Sequence, residues 1–107
     1  MSQGRRLHNA MGLCIKAGKC RSGDFVCEKV LKEGKARLVL LDDTASENTK
    51  MRYQTLCRTR NVPILIVKEL GHAIGRPGRM VAVVLDESFS NMIQDAAASD
   101  ISEIAGV

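Results

Sequence analysis

The residues best suited to chemistry lie between Gly18 and Gly34, where Lys19, Arg21, Lys29 and Lys32 surround Ser22, Gly23 and Asp24. The chemistry they suit is anion binding. A helix that starts near Gly23 exposes N–H donors and the positive end of its dipole, and both attract phosphate. Ser22 or Asp24 is a candidate side-chain cap for those donors, and Gly23 leaves room for a close backbone approach. From these residues alone two readings stay open: a nucleic-acid-facing edge, or a solvated basic first turn.

Other constellations carry less. The cysteines at 14, 20, 27 and 57 include no C-x-x-C pair, which gives no pointer to a zinc or thioredoxin-type site. Cys14, Cys27 and Cys57 fall on or beside apolar helical stripes and read as small core hydrophobes. Cys20, between two cations, is the one placed for reactivity. All four are expected to be reduced. His8 and His72 are not at ligand spacing, and neither a metal nor a cofactor is expected. Asp42 and Asp43 close an aliphatic run, where α/β enzymes place catalytic carboxylates, but turning the chain into the next helix is the simpler role. No P-loop, no G-x-G-x-x-G after a strand and no nucleophile with its base can be picked out. A non-enzymatic protein is expected.

The elements that must position these residues follow from the apolar pattern. Leu7, Ala10 or Met11, Cys14 and Ala17 recur at helical spacing and predict a helix over about residues 4–17, stopped by Gly18. Lys19 to Arg21 has room only for a small strand. A second helix runs from Gly23 or Asp24 to Glu33, stopped by Gly34, with Val26, Cys27, Val30 and Leu31 on its buried side. Phe25, Lys29 and Lys32 fall on the opposite side, where the ring either covers a neighbouring surface or faces a base. Residues 36–41, 62–67 and 80–85 are aliphatic runs that read as strands buried on both faces. They are separated by helical patterns over 46–60 and 68–74, and a last helix begins after Asp86. Alternation of this kind predicts a three-layer α/β/α sandwich with a mixed, mostly parallel four-stranded sheet.

Composition sets the class. With 107 residues, 45% hydrophobic and 26% charged, the chain is expected to form one globular domain over residues 1–95. The acidic segment 96–107 is expected to be a poorly ordered or contact-making tail. No apolar run approaches the roughly 20 residues that span a bilayer. The charged N-terminus lacks the apolar segment of a signal peptide, so a cytoplasmic location is expected. Residues 1–60 hold thirteen Lys and Arg against six Asp and Glu, whereas residues 61–107 hold three against six. A one-sided basic excess suits an anionic partner such as RNA. Only Phe25, Tyr53 and Phe89 are aromatic, too few for a broad base-stacking platform.

Several motifs occur together in one order: Met11-Gly-Leu-Cys-Ile-Lys-Ala-Gly-Lys19, Ser22-Gly23 with Lys29 six residues on, Ala36-Arg-Leu-Val-Leu-Leu-Asp-Asp-Thr-Ala-Ser-Glu-Asn-Thr49, Val62-Pro63, Leu70-Gly-His-Ala-Ile-Gly75 and Val81-Ala-Val-Val-Leu-Asp-Glu-Ser-Phe89. Over residues 5 to about 92 this order resembles the ribosomal protein L-seven-Ae family, and within it the small bacterial YlxQ-like branch of ribosome-associated RNA-binding proteins. The resemblance implies binding of kink-turn or ribosomal RNA through the start of the second helix and the loop Gly75 to Arg79. It marks Gly23 as the close-approach glycine and Lys29 as the cation for phosphate or base. Phe25 and Val26 stand where kink-turn readers of the family carry Asn and Glu, and neither has a side-chain donor or acceptor for base edges. Arg76 and Arg79 supply guanidiniums suited to phosphate where the family has apolar contacts. The expected partners are RNA and, through it, the ribosome or translation factors, with a monomer favoured. The alternative is a protein-interaction module that keeps the fold without specific RNA recognition.

Overall fold

A computed structural model describes residues 5–105, and the side chains of residues 5–99. Nine elements follow one another: α1 (Arg5–Lys16), β1 (Cys20–Ser22), α2 (Asp24–Lys32), β2 (Leu38–Asp42), α3 (Glu47–Arg60), β3 (Ile64–Val67), α4 (Leu70–Ala73), β4 (Val81–Val84) and α5 (Glu87–Ala105). The four strands form one sheet in the order β1-β4-β2-β3.

Side-chain alternation divides the core in two. Leu38, Leu40, Ala82 and Val84 point to one face of the sheet and pack with Leu7, Met11 and Cys14 of α1, Leu70 of α4 and Ile93 of α5. Val39, Leu41, Val81 and Val83 point to the other and pack with Cys27 and Leu31 of α2 and Tyr53 and Cys57 of α3. β2 and β4 are buried at every position because they are central and covered on both sides. This is the three-layer α/β/α arrangement expected from the alternation.

Three expectations need correction. The sheet is mixed, but only β2 and β3 pair in parallel; β4 runs antiparallel to both β1 and β2. Helical crossovers force parallel pairing only when consecutive strands end as neighbours, and here β4 inserts between β1 and β2. The run at 62–67 is an edge strand, so Ile66 is 39% exposed instead of buried on both faces. α5 continues past residue 95: Ala97 is buried in the core and the Arg6 guanidinium hydrogen-bonds Ser99 Oγ. Burial of a small stripe against α1 outweighs the polar composition there. Residue 4, expected in the first helix, lies outside the described residues, as do the ends of the domain and tail boundaries at 1 and 107. Ala17 is exposed, being past the last turn of α1.

Four helices end the same way. Gly18, Gly34, Asn61 and Gly75 each take positive φ. In each case that N–H returns to the carbonyl three residues back and the next N–H to the carbonyl five back, as in Lys19 N to Cys14 O at 3.0 Å and Arg76 N to Gly71 O at 2.7 Å. This is the Schellman closure, which turns the chain sharply and satisfies the last carbonyls. It directs β1 out of α1 and the 76–80 loop out of α4.

Candidate nucleic-acid interface

The two stretches singled out in the sequence meet. Residues 76–79 form a tight turn, with Arg79 N–H donating to Arg76 O at 3.2 Å, Pro77 second and Gly78 third at φ 88°. Proline followed by a positive-φ glycine is the type II pattern, which places the first and fourth residues close together. Arg76 and Arg79 therefore leave one turn side by side. The turn rests on α4, where a Cβ at Gly71 would lie 2.7 Å from Arg76 O and 2.9 Å from Gly78 N. Glycine is required at 71 so that two backbones can touch.

Arg79 reaches across to the start of α2. Its Nη1 donates to Ser22 O at 2.8 Å and to Ser22 Oγ at 3.3 Å. Gly23 has φ 103°, and a Cβ there would lie 2.5 Å from the same Nη1. The glycine thus serves both its backbone conformation and the seat of the guanidinium. Its N–H donates to Val81 O at 3.1 Å, which continues the β1–β4 ladder to the helix start. Arg21 Nη1 donates to Gly18 O at 3.0 Å and Cys20 O at 2.9 Å, anchoring a second guanidinium on the carbonyl end of α1. Between them lies an open cleft of about 440 Å³, with Arg21, Arg76 and Arg79 at its rim and Ile15, Val26 and Ile74 supplying apolar wall.

Neither expected cap is used. Gly23 is the N-cap residue of α2 and no side chain caps the first turn. Asp24 instead faces α3, where its carboxylate takes two bonds from Arg52, at 2.9 Å from Nη1 and 2.8 Å from Nη2. The Tyr53 hydroxyl stands 2.5 Å from Asp24 Oδ1. These contacts, Arg52 first, hold the Asp24 carboxyl below its ordinary range and keep it ionised. Arg52 also donates to Glu28 Oε2 at 3.1 Å. The helix start is left with free donors, and Asp24 is turned away to Arg52 instead of capping them.

The remaining predicted residues fall elsewhere. Phe25 is 81% exposed beside the helix start. It lines a shallower groove with Lys29, Lys32, Glu28 and Glu33. Lys29 therefore stands on the outer face of α2 and not at the cleft rim. Val26, expected on the buried side, is 39% exposed at the cleft wall. Lys19 is exposed next to the cleft, its backbone engaged with Cys14 and Leu85, and Gly75 is the exposed turn that ends α4. Sequence reasoning missed Ile15 and Ile74, which sit one turn after Met11 and Leu70 and reach the cleft from the edge of the core, and the Arg52–Tyr53 anchor, since α3 offered no signal beyond its apolar side.

Asp42 is buried and accepts from Thr44 N at 2.9 Å, from the Thr44 hydroxyl, and from Leu70 N at 2.8 Å. It ties the end of β2 to the start of α4, a structural duty. Burial pushes its carboxyl up, but the bonds from Thr44 and Leu70 outweigh that and leave it lowered. Cys14, Cys27 and Cys57 are buried free thiols, as their spacing suggested, while Cys20 is half-buried. Burial raises Cys27 to about 12 and Cys57 to about 11. Among the described residues no helix is long and apolar enough to cross a membrane.

Residues 5–94 match the sequence model of the ribosomal protein L7Ae/L30e/S12e/Gadd45 family. The chain belongs to that family. It is 35% identical over 86 residues to the RNA-binding protein YlxQ of Bacillus subtilis (strain 168), covering 78% of this chain and 86% of the relative. The RNA-binding protein YlxQ of Enterococcus faecium is 28% identical over 100 residues, covering 89% and 96%. Among solved structures, a protein of unknown function from Bacillus halodurans C superposes with a TM-score of 0.83 at 26% identity, over 89% of this chain and 99% of the other. The 15.5kD RNA binding protein of Giardia lamblia superposes with a TM-score of 0.71 at 19% identity, over 91% and 86%, and shares the fold. The sequence thus sits in the YlxQ-like branch that its motifs resemble.

Proposed function

We propose that this protein binds structured RNA without catalysing a reaction, and that ribosomal RNA is its target in the cytoplasm. The observation that carries this is the bridge from Arg79 to Ser22, which joins two loops into one cationic cleft around an uncapped helix start. Two relatives named as RNA-binding proteins support the same reading. Arg21, Arg76 and Arg79 are suited to phosphate, while Phe25 and Val26 cannot read base edges by hydrogen bonds. Contacts to the RNA backbone therefore supply most of the affinity, and shape supplies the selectivity. Lys29 and Lys32 extend the cationic track along α2, and Lys19 borders it. A kink-turn is held by its bent backbone and not by its sheared G and A pairs.

The test is titration of the protein into fluorescent ribosomal RNA fragments, a kink-turn hairpin among them. Arg76→Ala with Arg79→Ala is expected to weaken binding at least tenfold, about 1.4 kcal/mol, across all fragments. Unchanged affinity removes the cleft from consideration. Co-sedimentation with ribosomal subunits tests the target directly.

Phe25 and the 63%-exposed Met51 favour a second reading, a protein-interaction module acting through the outer face of α2 and α3. Partners captured equally from ribonuclease-treated and untreated extract, with no RNA binding in titration, would select it.

A further inference from the structure

We propose that Cys20 is an oxidant-modified residue of the cleft, that Cys14 is its resolving thiol, and that the Cys14–Cys20 disulfide controls the cationic rim. The thiol chemistry stands by itself; its effect on RNA rests on the function proposed above.

The placement comes from the end of α1. The Schellman closure at Gly18 carries the chain back over the helix's last turn, with Lys19 N–H on Cys14 O at 3.0 Å. The next residue is Cys20, which packs on the same core face as Cys14. Cys14 and Cys20 thus share one core cluster, six residues apart across the turn at Gly18. Cys27 shares the Arg21 carbonyl with Cys20, their sulfurs lying 3.8 and 3.9 Å from it, but belongs to the core on the other face. The fold therefore gives Cys20 one partner on its own side of the sheet.

The two thiols differ in access and reactivity. Cys14 is buried, while Cys20 is half-buried and lines the cleft beside Arg21. The neighbouring Cys14 thiol, and after it the nearby Arg21 charge, lower the Cys20 thiol, and Cys20 together with burial raises Cys14. Cys20 is thus the nucleophile. Its thiolate attacks one oxygen of a hydroperoxide, the O–O bond breaks, and the departing alkoxide takes a proton to leave as alcohol or water. The Cys20 sulfenic acid is then attacked by the Cys14 sulfur, which forms the S–S bond and releases water. Two sulfurs lose two electrons and the peroxide gains them.

The consequence for the rim follows from β1, which is three residues long. Cys20 supplies a carbonyl acceptor to Arg21, and Ser22 supplies two acceptors to Arg79. Drawing Cys20 toward α1 displaces both guanidinium anchors at once.

The experiment treats the full-length protein with hydrogen peroxide and reads free thiols, the tryptic map and RNA binding. The titratable thiols are expected to fall from four to two, since four are free in the structure. Tryptic cleavage after Lys16, Lys19 and Arg21 puts Cys14 and Cys20 on separate peptides. A linked pair, lost on adding dithiothreitol, is expected from the wild type. Cys20→Ser should keep all its thiols reduced, and Cys14→Ala should stop at a Cys20 sulfenic acid that dimedone traps. Failure to find the linked pair in the wild type overturns the proposal, as does a bond mapped to Cys27 or between two molecules. Affinity for a kink-turn hairpin should fall at least threefold on oxidation and return on reduction. Unchanged affinity overturns the control of the rim. Absence of binding by the reduced protein counts against the RNA function alone, because the peptide map does not depend on it.

Discussion

Gly23 shows how much one position can carry. Its φ of 103° disfavours a side chain, and the Arg79 guanidinium occupies the place a Cβ would take and would have to move. Gly23→Ala is expected to cost about 1 kcal/mol or more in backbone strain and to dislodge Arg79. In an Arg79→Ala background the steric part vanishes and only the strain remains, so a double-mutant cycle in thermal unfolding separates them. Asp42 offers a pH-dependent test. Its folded carboxyl lies below the ordinary value of 3.8, so its contribution is present above that value and is lost as pH falls through the lower folded value. Asp42→Asn should lower stability by about 1 to 3 kcal/mol at neutral pH by weakening the bonds to Leu70 and Thr44. Its deficit against wild type should narrow in acid denaturation below pH of about 4. The anchor at Asp24 was invisible in the sequence because its partners, Arg52 and Tyr53, come from another helix. Sequence suggests which residues can cap, but tertiary contacts decide where a carboxylate goes.

Among the elements, α4 and its turn place the cations most tightly. Gly71→Ala would press a methyl against two backbone atoms that cannot give way cheaply. A loss of about 1 to 3 kcal/mol is expected, with weaker RNA binding through a displaced Arg76–Arg79 turn, read by denaturant unfolding and titration. Elements were the most legible part of the chain. Continuous aliphatic runs and helix-ending glycines marked β2, β4, α1 and α2 to within a few residues, because burial on two faces and Schellman closure both leave local signatures. β3 was located but its exposure was not, since edge position depends on sheet order. Val26 went astray for a related reason: helical periodicity assigns a face, while the cleft cuts into that face.

For the whole molecule, the prediction concerns charge. If Arg21, Arg76, Arg79, Lys29 and Lys32 all meet phosphates, log affinity should fall against log salt with a slope of about −4. If the cleft acts alone, with three arginines, the slope should be about −2 to −3. A salt titration of the wild type and of Lys29→Ala with Lys32→Ala distinguishes the two, because only in the first case does the double variant flatten the slope. Layering and family were legible from the order of motifs. Pairing direction was not, because one residue's periodicity says nothing about which strand becomes its neighbour.

That order of strands has a temporal side. β4 lies between β1 and β2 although it is the last strand along the chain. During synthesis β1 emerges early but has no strand to pair with until β4 leaves the ribosome. The turn bearing Arg76 and Arg79 directly precedes β4, so the cleft assembles only as that closing strand docks. A nascent or truncated chain carries many of the same cations, yet cannot seat Arg79 on Ser22. RNA affinity should therefore appear late and abruptly in a series of lengthening chains, making the site a marker of completed folding.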